Sequence, residues 1–272
     1  MPSVLAAARA FALEVEALAL PQACLGCGRE LSRREEADAC CALCRHRMRR
    51  VASPSCARCG QPLDRWSARW EAPTASPDHR TGASRAAGAA AGLGHCEFCG
   101  AWPPELAWAA SAVWLEDGPA RNLVLALKYG GWRIAAGPMA AIVRSELTAR
   151  LTGLDALVPV PLGRLRRRER GHNQAEVLAR AIGRAAGLPV LARSLVRARE
   201  TRTQTRLAPA SRWENTKGAF AAAGRELGGM HVALVDDVVT TGATLGAAAQ
   251  ALAELGTATI GAVTFARALV PA

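Results

Sequence analysis

The stretch His-Val-Ala-Leu-Val-Asp-Asp-Val-Val-Thr-Thr-Gly-Ala-Thr, residues 231–244, decides the predicted fold. Residues 231–235 form an apolar-leaning run without alternation, which suits a parallel strand buried on both faces. From Thr244 the apolar residues recur at helical spacing, so they predict a helix with one buried face. That face comprises Leu245, Ala248, Leu252 and Leu255. A buried strand, a short loop and a helix in this order predict an α/β protein with a parallel sheet.

The loop between this strand and this helix has the composition of an anion site. Residues 240–244 bring small hydroxyl side chains and one glycine to a helix N-terminus, where free backbone N–H groups favour phosphate. Gly242 permits a tight turn or a positive φ. Asp236 and Asp237 come at the carboxyl end of the strand, where open α/β sheets bind ligands. Since two carboxylates would repel a bare phosphate, the pattern favours a ligand with a phosphate at one end and hydroxyls or a metal ion at the other. The alternative is an ordinary strand–turn–helix unit with two exposed aspartates.

Cysteine spacing predicts a metal-binding module. All nine cysteines lie between residues 24 and 99, and eight of them form four CxxC pairs. Four pairs can supply two all-cysteine zinc sites of zinc-ribbon type, which are structural because no ligand position is left open. Sequential pairing is the natural grouping, although crossed pairing also fits the spacing. The predicted ligands are Cys24, Cys27, Cys41 and Cys44 for one ion, and Cys56, Cys59, Cys96 and Cys99 for the other.

Two other interpretations of the cysteines are weaker. Disulfides need an oxidising compartment, and the sequence gives no export signal that would support one. A thioredoxin-like redox pair would normally follow a strand in a βαβ unit, and the cysteine-rich segment shows no such pattern. Cys40 is left over, either as a small buried residue or as an alternative ligand to Cys41.

The composition is basic through arginine. The 272 residues carry a formal net charge of +11, with 32 Arg and 2 Lys. Arginine suits bidentate contacts to phosphate, so the charge favours nucleic acid or a phosphorylated ligand. A compositional bias that places arginine on solvated faces explains the charge equally well.

Membrane insertion is not expected. No uncharged apolar run reaches the ~18 residues of a membrane helix, and Glu14 and Glu16 interrupt the first apolar stretch. We therefore expect a cytoplasmic chain with a short helix over residues 4–20. Residues 72–94 are rich in small residues and proline without periodicity, so they predict a disordered insertion.

A second basic segment follows the middle strand. Residues 156–161 predict a strand, and residues 162–174 predict an Arg-rich loop that leads into a helix. Charge and a helix N-terminus together would suit a polyanion such as pyrophosphate, whereas a solvated basic loop is the alternative. Residues 193–217 are polar and basic, and they predict a mobile loop that closes over a ligand.

These motifs together resemble a known family. Residues 235–244 resemble the PRPP-binding signature of type I phosphoribosyltransferases, in which the acids hold the ribose hydroxyls and the loop holds the 5-phosphate. With the CxxC pairs, the chain resembles the ComF family, the competence-associated phosphoribosyltransferase-like proteins of bacteria. Further matching segments are Leu127-Lys128-Tyr129-Gly130, Val158-Pro159-Val160-Pro161, Arg170-Gly171-His172-Asn173-Gln174, Gln204, Arg212 and Asn215. His172 departs from the aromatic residue that is usual in the family.

The resemblance implies a fold, a domain division and a ligand. The fold is a type I phosphoribosyltransferase-like parallel sheet flanked by helices, preceded by a small Cys-rich zinc-ribbon module. The division is residues 1–101 for the N-terminal helix and double zinc ribbon, and residues 102–272 for the phosphoribosyltransferase-like domain. The ligand is PRPP with Mg²⁺ bridging its oxygens, and Asp236 and Asp237 are the catalytic candidates. The implied PRPP-binding residues are Asp236, Asp237, Thr240, Thr241, Gly242, Ala243, Thr244, Arg170, Gly171, Asn173 and Gln174.

Two functions are compatible with this resemblance. One is a PRPP-binding protein of DNA uptake, natural transformation or single-stranded DNA handling. In this function the zinc ribbon and the Arg loops would bind nucleic acid, and other competence proteins would be partners. The other is an active phosphoribosyltransferase that transfers to an unidentified acceptor and releases pyrophosphate. Type I enzymes hold the acceptor base under a hood. Here a hood would have to come from residues 103–154 or from the zinc module, and neither contains a recognisable base pocket.

Overall fold

The computed structural model describes residues 23–32, 35, 38–51, 55–61, 96–200 and 209–268, without the side chains of residues 97 and 209–212. The strands are β1 (Leu106–Trp114), β2 (Ala156–Pro159), β3 (Leu195–Arg197), β4 (Phe220–Ala222), β5 (His231–Val239) and β6 (Thr259–Arg267). The helices are α1 (Ala42–Arg47), α2 (Glu97–Gly100), α3 (Pro119–Lys128), α4 (Ala136–Glu146), α5 (Thr148–Leu151), α6 (Arg164–Arg170), α7 (Gln174–Ala186), α8 (Pro209–Thr216) and α9 (Ala243–Ala253).

Several predictions fall on residues that are not described. They concern the helix over residues 4–20, the insertion at residues 72–94, Gln204 and the Arg212 side chain. The division of the chain at residues 101 and 102 stays a prediction.

The main sheet is parallel, in the order β1-β6-β5-β2. Most residues of β5 and β6 are buried, as expected for parallel strands that are covered on both faces. A buried hydrogen bond of 2.7 Å between the hydroxyls of Ser111 and Thr264 joins β1 to β6. β3 and β4 form a separate antiparallel pair. The strand order places β5 at the centre, so its carboxyl end is surrounded by other chain segments.

Helices cover both faces of this sheet. Ala233 and Val235 share a core cluster with α3, α4 and α7, whereas Val232 and Leu234 share a second cluster with α9. The alternation follows from the two-residue period of a strand. The predicted parallel sheet flanked by helices is therefore confirmed.

The cysteine-rich segment packs against the same two clusters. Cys24, Cys41 and Cys44 belong to the cluster with α3 and α4. Cys59 and Cys99 belong to the cluster with α9. Each cysteine group therefore rests on a different face of the sheet and shares its hydrophobic core.

The structure extends the central strand beyond its predicted end. β5 continues to Val239 because β6 pairs with it as far as the Val239–Arg267 register. Asp236 and Asp237 therefore lie within the strand, and α9 begins at Ala243, one residue before its predicted start.

The predicted Arg-rich loop is partly wrong, because Arg164–Arg170 forms helix α6. Arg, Leu and Glu are good helix formers, and the Glu200 carboxylate accepts a hydrogen bond of 2.5 Å from the Arg164 backbone N–H at the first turn. Gly171 ends the helix at a φ of 71°. The helix buries none of its residues, so it has no apolar periodicity that the sequence could have displayed.

Candidate functional site

A cavity of about 290 Å³ opens at the carboxyl ends of β2 and β5. Its walls come from the end of α3, the segment from β2 to α7, strand β3 and the connection from β5 to α9. The polar and charged residues that line it are Lys128, Tyr129, Arg166, Arg170, Gln174, Arg197, Asp236, Asp237, Thr240 and Thr244. The position agrees with the rule that open α/β sheets bind ligands beyond the carboxyl ends of their strands.

The loop before α9 has a geometry that only glycine permits at one position. Gly242 caps α9 with a φ of 83°. A β-carbon there would lie 2.5 Å from Trp102 Cε2. The Thr241 hydroxyl accepts from the Ala243 backbone N–H at 3.4 Å, which holds the first turn. The 11-residue helix thus presents its positive dipole end to the cavity.

Two carboxylates and a lysine lie beside this loop. Asp237 is buried, and its Oδ2 is 2.8 Å from Lys128 Nζ. Asp236 is half-buried, and its Oδ1 accepts from the Asp237 backbone N–H at 2.8 Å. Asp237 therefore has an ion-pair partner, whereas Asp236 forms no ion pair with the residues that the structure describes.

The pKa values of Asp236 and Lys128 reflect the different surroundings of the two carboxylates. Burial, followed by the charge of Asp237, raises the pKa of Asp236 to about 8, although Lys128 opposes the rise. Burial alone would lower the pKa of Lys128, but the charges of Asp237 and Asp236 outweigh it and raise that pKa. Asp236 is thus a carboxylate whose negative charge a bound cation would stabilise, and this donor set fits Mg²⁺.

Guanidinium groups line the same cavity. Arg166 and Arg170 are four residues apart on α6 and face inward, whereas Arg167 and Arg168 are exposed. Arg197 of β3 adds a third guanidinium, and burial together with the charge of Arg166 lowers its pKa. Crowded positive charge in a partly buried site favours an anionic ligand.

A buried polar atom also points to a ligand. Gln174, the first residue of α7, lines the cavity and is 7% exposed. Its Oε1 is buried without a hydrogen-bond partner among the described residues. Such atoms are rare in folded proteins unless a ligand or water satisfies them.

The structure brings most of the predicted ligand-binding residues together. The cavity is lined by Asp236, Asp237, Thr240, Gly242, Ala243, Thr244, Arg170 and Gln174. Three others lie outside its lining and support it. Thr241 holds the loop, Gly171 ends α6, and the Asn173 side chain caps α7 by accepting from Ala175 N at 3.2 Å.

Three charged cavity residues were not singled out by the sequence pattern. Lys128 could have been found, because it is one of only 2 lysines and lies within Leu127-Lys128-Tyr129-Gly130. Arg166 lies in the Arg-rich segment that was predicted to suit a polyanion, but nothing in the pattern separated it from the neighbouring arginines. Arg197 had no signal, since its place in the cavity depends on the pairing of β3 with β4.

The eight CxxC cysteines form two groups. Within each group the four Sγ atoms lie within 4.8 Å of one another, and the groups are those of sequential pairing. Close Sγ–Sγ distances run from 3.4 Å for Cys59–Cys96 to 4.0 Å for Cys27–Cys41. Four sulfurs around a tetrahedral zinc at ~2.3 Å would be about 3.8 Å apart. The two four-cysteine groups therefore fit two structural zinc sites.

Cys40 belongs to neither group. It is fully buried, and its thiol donates to the Cys41 carbonyl at 3.8 Å. Burial raises the pKa of the Cys40 thiol to about 12, so it stays protonated at neutral pH. Of the two roles considered for Cys40, the small buried residue is the one that this geometry supports.

Family models match both parts of the chain. The double zinc ribbon domain matches residues 15–75, and the phosphoribosyl transferase domain matches residues 123–270. The fold and the site thus define a phosphoribosyltransferase-type domain joined to a double zinc ribbon.

Individual relatives show which family within this class of proteins the chain belongs to. Competence protein F of Haemophilus influenzae is 38% identical over 118 residues, covering 43% of this chain and 52% of that protein. DNA utilization protein YhgH of Escherichia coli O157:H7 is 32% identical over 171 residues, covering 61% and 74%. The chain belongs to the ComF family. It spans 52% to 74% of the length of these two relatives.

Among solved structures, a purine phosphoribosyltransferase from Pyrococcus horikoshii Ot3 matches at 13% identity and a TM-score of 0.30. The match covers 51% of this chain and 84% of that one. A likeness this distant carries no weight for fold or substrate. No helix within the described ranges is long and apolar enough to cross a bilayer.

Proposed function

We propose that the cavity binds PRPP or a related phosphoribosyl ligand together with Mg²⁺. The observation that carries the proposal is the meeting of three ligand-binding features in one cavity. They are the N-terminus of α9, two carboxylates and three guanidiniums. A phosphoribosyl pyrophosphate has a matching sequence of groups, because a 5-phosphate, ribose hydroxyls and a pyrophosphate follow one another along the molecule.

Each group would bind a different part of this ligand. The loop of residues 240–244 would hold the 5-phosphate through backbone N–H groups and hydroxyls. Asp236 and Asp237 would hold the ribose hydroxyls and the cation. Arg166, Arg170 and Arg197 would hold the pyrophosphate by charge-assisted hydrogen bonds. Mg²⁺, when bound, would neutralise the pyrophosphate oxygens next to the carboxylates.

Neighbouring arginines on α6 provide a matched test of this assignment. Arg166→Gln is expected to weaken PRPP binding about 30-fold, because it removes a charge-assisted contact from a partly buried site. Arg167→Gln changes the same net charge on an exposed position and is expected to alter affinity less than about twofold. Isothermal titration with PRPP and Mg²⁺ measures both. Equal losses in the two variants would reduce the effect to long-range charge and contradict the assignment.

We further propose a role in DNA uptake or single-stranded DNA handling, in the cytoplasm and with other competence proteins. The names of the two relatives support the DNA role. The nine free thiols, eight of them grouped as metal ligands, support a reducing compartment. Exposed Arg167 and Arg168 beside the cavity mouth supply a basic surface suited to a phosphate backbone.

The basic surface predicts a salt-dependent interaction. Arg167→Gln/Arg168→Gln is expected to weaken single-stranded DNA binding and to reduce the slope of log affinity against log salt by about 1.4. Arg144→Gln/Arg184→Gln removes the same charge from sites on α4 and α7 that are away from the cavity mouth, and we expect it to leave that slope unchanged. Fluorescence anisotropy at several salt concentrations measures the slopes. Absence of binding by the wild type at low salt would exclude the DNA role.

Phosphoribosyl transfer is the second candidate. The position of Asp236 beside the proposed ribose site favours it, because its carboxylate would stabilise developing positive charge on the sugar. The acceptor is unidentified. Pyrophosphate release from PRPP across a panel of acceptors separates transfer from binding alone, and tight binding without release for any acceptor would count against an enzyme.

A further inference from the structure

Trp102 contacts two consecutive residues of the loop before α9. The side chain is 4% exposed, and its Nε1–H donates to the Thr241 carbonyl at 2.9 Å. Its ring occupies the space next to Gly242, where a β-carbon would lie 2.5 to 2.6 Å from three ring atoms. The indole therefore fixes both the carbonyl direction of Thr241 and the close approach at Gly242.

Both CxxC pairs of the second four-cysteine group contribute contacts to Trp102. The Trp102 backbone N–H donates to the Cys99 carbonyl at 3.1 Å, and the Phe98 ring meets the indole edge-to-face at 6.2 Å. From the other pair, Arg58 lies between Cys56 and Cys59 in sequence. Its guanidinium donates to the carbonyls of Cys99 and Trp102 at 3.0 and 3.3 Å, and it lies 6.0 Å from the indole centroid.

The placement of these two pairs depends on a metal. The Sγ atoms of Cys56 and Cys99 are 3.8 Å apart, and those of Cys96 and Cys99 are 3.6 Å apart. Four thiolates at these separations repel one another unless a cation neutralises them. Loss of that cation would release both pairs, and with them the contacts of Phe98 and Arg58 that orient the indole.

We propose that Trp102 is a positioning residue that couples the metal group of Cys56, Cys59, Cys96 and Cys99 to the loop of residues 240–244. The loop keeps the conformation that receives a phosphate only while this group holds its metal. The proposal extends the phosphoribosyl-binding function and rests on it for the identity of the ligand.

The first four-cysteine group provides a matched control, because it meets the core elsewhere. Its segment is joined to α3 by a hydrogen bond of 2.8 Å from the Asn122 side chain to the Gly26 carbonyl. Cys27 is the exposed cysteine of that group. Cys27→Ser therefore disturbs a metal site of the same chemistry on the other face of the sheet.

Hydrogen exchange of the peptide spanning residues 238–246 tests the coupling without any ligand. In full-length unliganded protein, Trp102→Phe keeps an aromatic ring but deletes the N–H donor, and we expect exchange about tenfold faster than in the wild type. Cys96→Ser is expected to give at least the same increase. Cys27→Ser is expected to raise exchange of this peptide no more than it raises exchange in the rest of β5. Unchanged exchange in Trp102→Phe, or an equal increase in Cys27→Ser that is confined to this peptide, would overturn the proposal.

Binding of two small ligands, ribose 5-phosphate and inorganic pyrophosphate, then shows which part of the cavity is altered by the Trp102 substitution. Trp102→Phe is expected to weaken ribose 5-phosphate binding about tenfold and to change inorganic pyrophosphate affinity less than about twofold, because the loop would hold the 5-phosphate alone. Equal losses for both probes would overturn a loop-specific role. If exchange responds as expected but the wild type binds neither ribose 5-phosphate nor PRPP, the coupling stands and the proposed ligand is wrong.

Discussion

Replacing Asp236 with asparagine is expected to weaken Mg²⁺-dependent PRPP binding about 100-fold while making the unliganded protein more stable. The loss of binding corresponds to about 2.8 kcal/mol and follows from removing a carboxylate that lines the cavity and forms no ion pair within the described part of the chain. The gain in stability follows from the raised pKa of Asp236, since burial and Asp237 disfavour its charged form.

The sign of the stability change depends on pH. A carboxyl whose pKa is raised by folding binds more protons in the native state than in the unfolded state, so its contribution to stability falls as pH increases. For Asp236 this fall runs from the ordinary carboxyl range up to the folded-state pKa of about 8. Asp236→Asn removes the titration, and we expect a gain on the order of 1 to 3 kcal/mol at about pH 8 that disappears near pH 4.

Chemical denaturation across this pH range and PRPP titration with and without Mg²⁺ measure the two effects. Asp155→Asn is a suitable control, because Asp155 is exposed and accepts from the His231 backbone N–H at the far end of β5. We expect it to leave PRPP affinity unchanged. A variant at Asp236 that loses both stability and affinity would show a structural role and contradict the assignment to the ligand.

Removing metal from the two four-cysteine groups is expected to destabilise the protein more than any of the substitutions described above. Structural zinc sites contribute about 10 to 16 kcal/mol of apparent binding free energy near neutral pH. Both groups lie within the hydrophobic clusters of the sheet, so their loss should destabilise the sheet as well as the cysteine-rich segment. We expect about two zinc ions per chain and a thermal midpoint that falls by more than about 10 °C on chelation.

Substitutions at Cys59 and Cys40 test whether zinc depends on the predicted ligands alone. Cys59→Ser removes a fully buried ligand of the second group and is expected to leave about one zinc per chain. Cys40→Ser alters an equally buried thiol outside both groups and should keep both ions. Elemental analysis and thermal melts measure the outcomes. A metal-free protein with an unchanged midpoint, or loss of zinc in Cys40→Ser, would contradict the assignment.

Sequence predicted best where chemistry and spacing are local. The strand, loop and helix of residues 231–244 lie in order along the chain, and CxxC spacing constrains two thiolates within a single turn. The extent of β5 was underestimated because its last four residues are held by pairing with β6. The helical state of α6 was missed because it buries no side chain and depends on a cap from Glu200, distant in sequence.

The sequence by itself determined the kind of protein: a parallel α/β domain with a Thr/Gly loop after two acids, and eight cysteines spaced as metal ligands. Only the tertiary structure decided which charges meet. It paired Lys128 with Asp237 rather than with Asp236, turned Arg166 inward while Arg167 stayed exposed, and brought Arg197 into the cavity. It also placed Trp102 between the second cysteine group and the loop of residues 240–244. The contact of Trp102 with Thr241 joins segments 139 residues apart, and local sequence pattern carries no information about contacts over such separations.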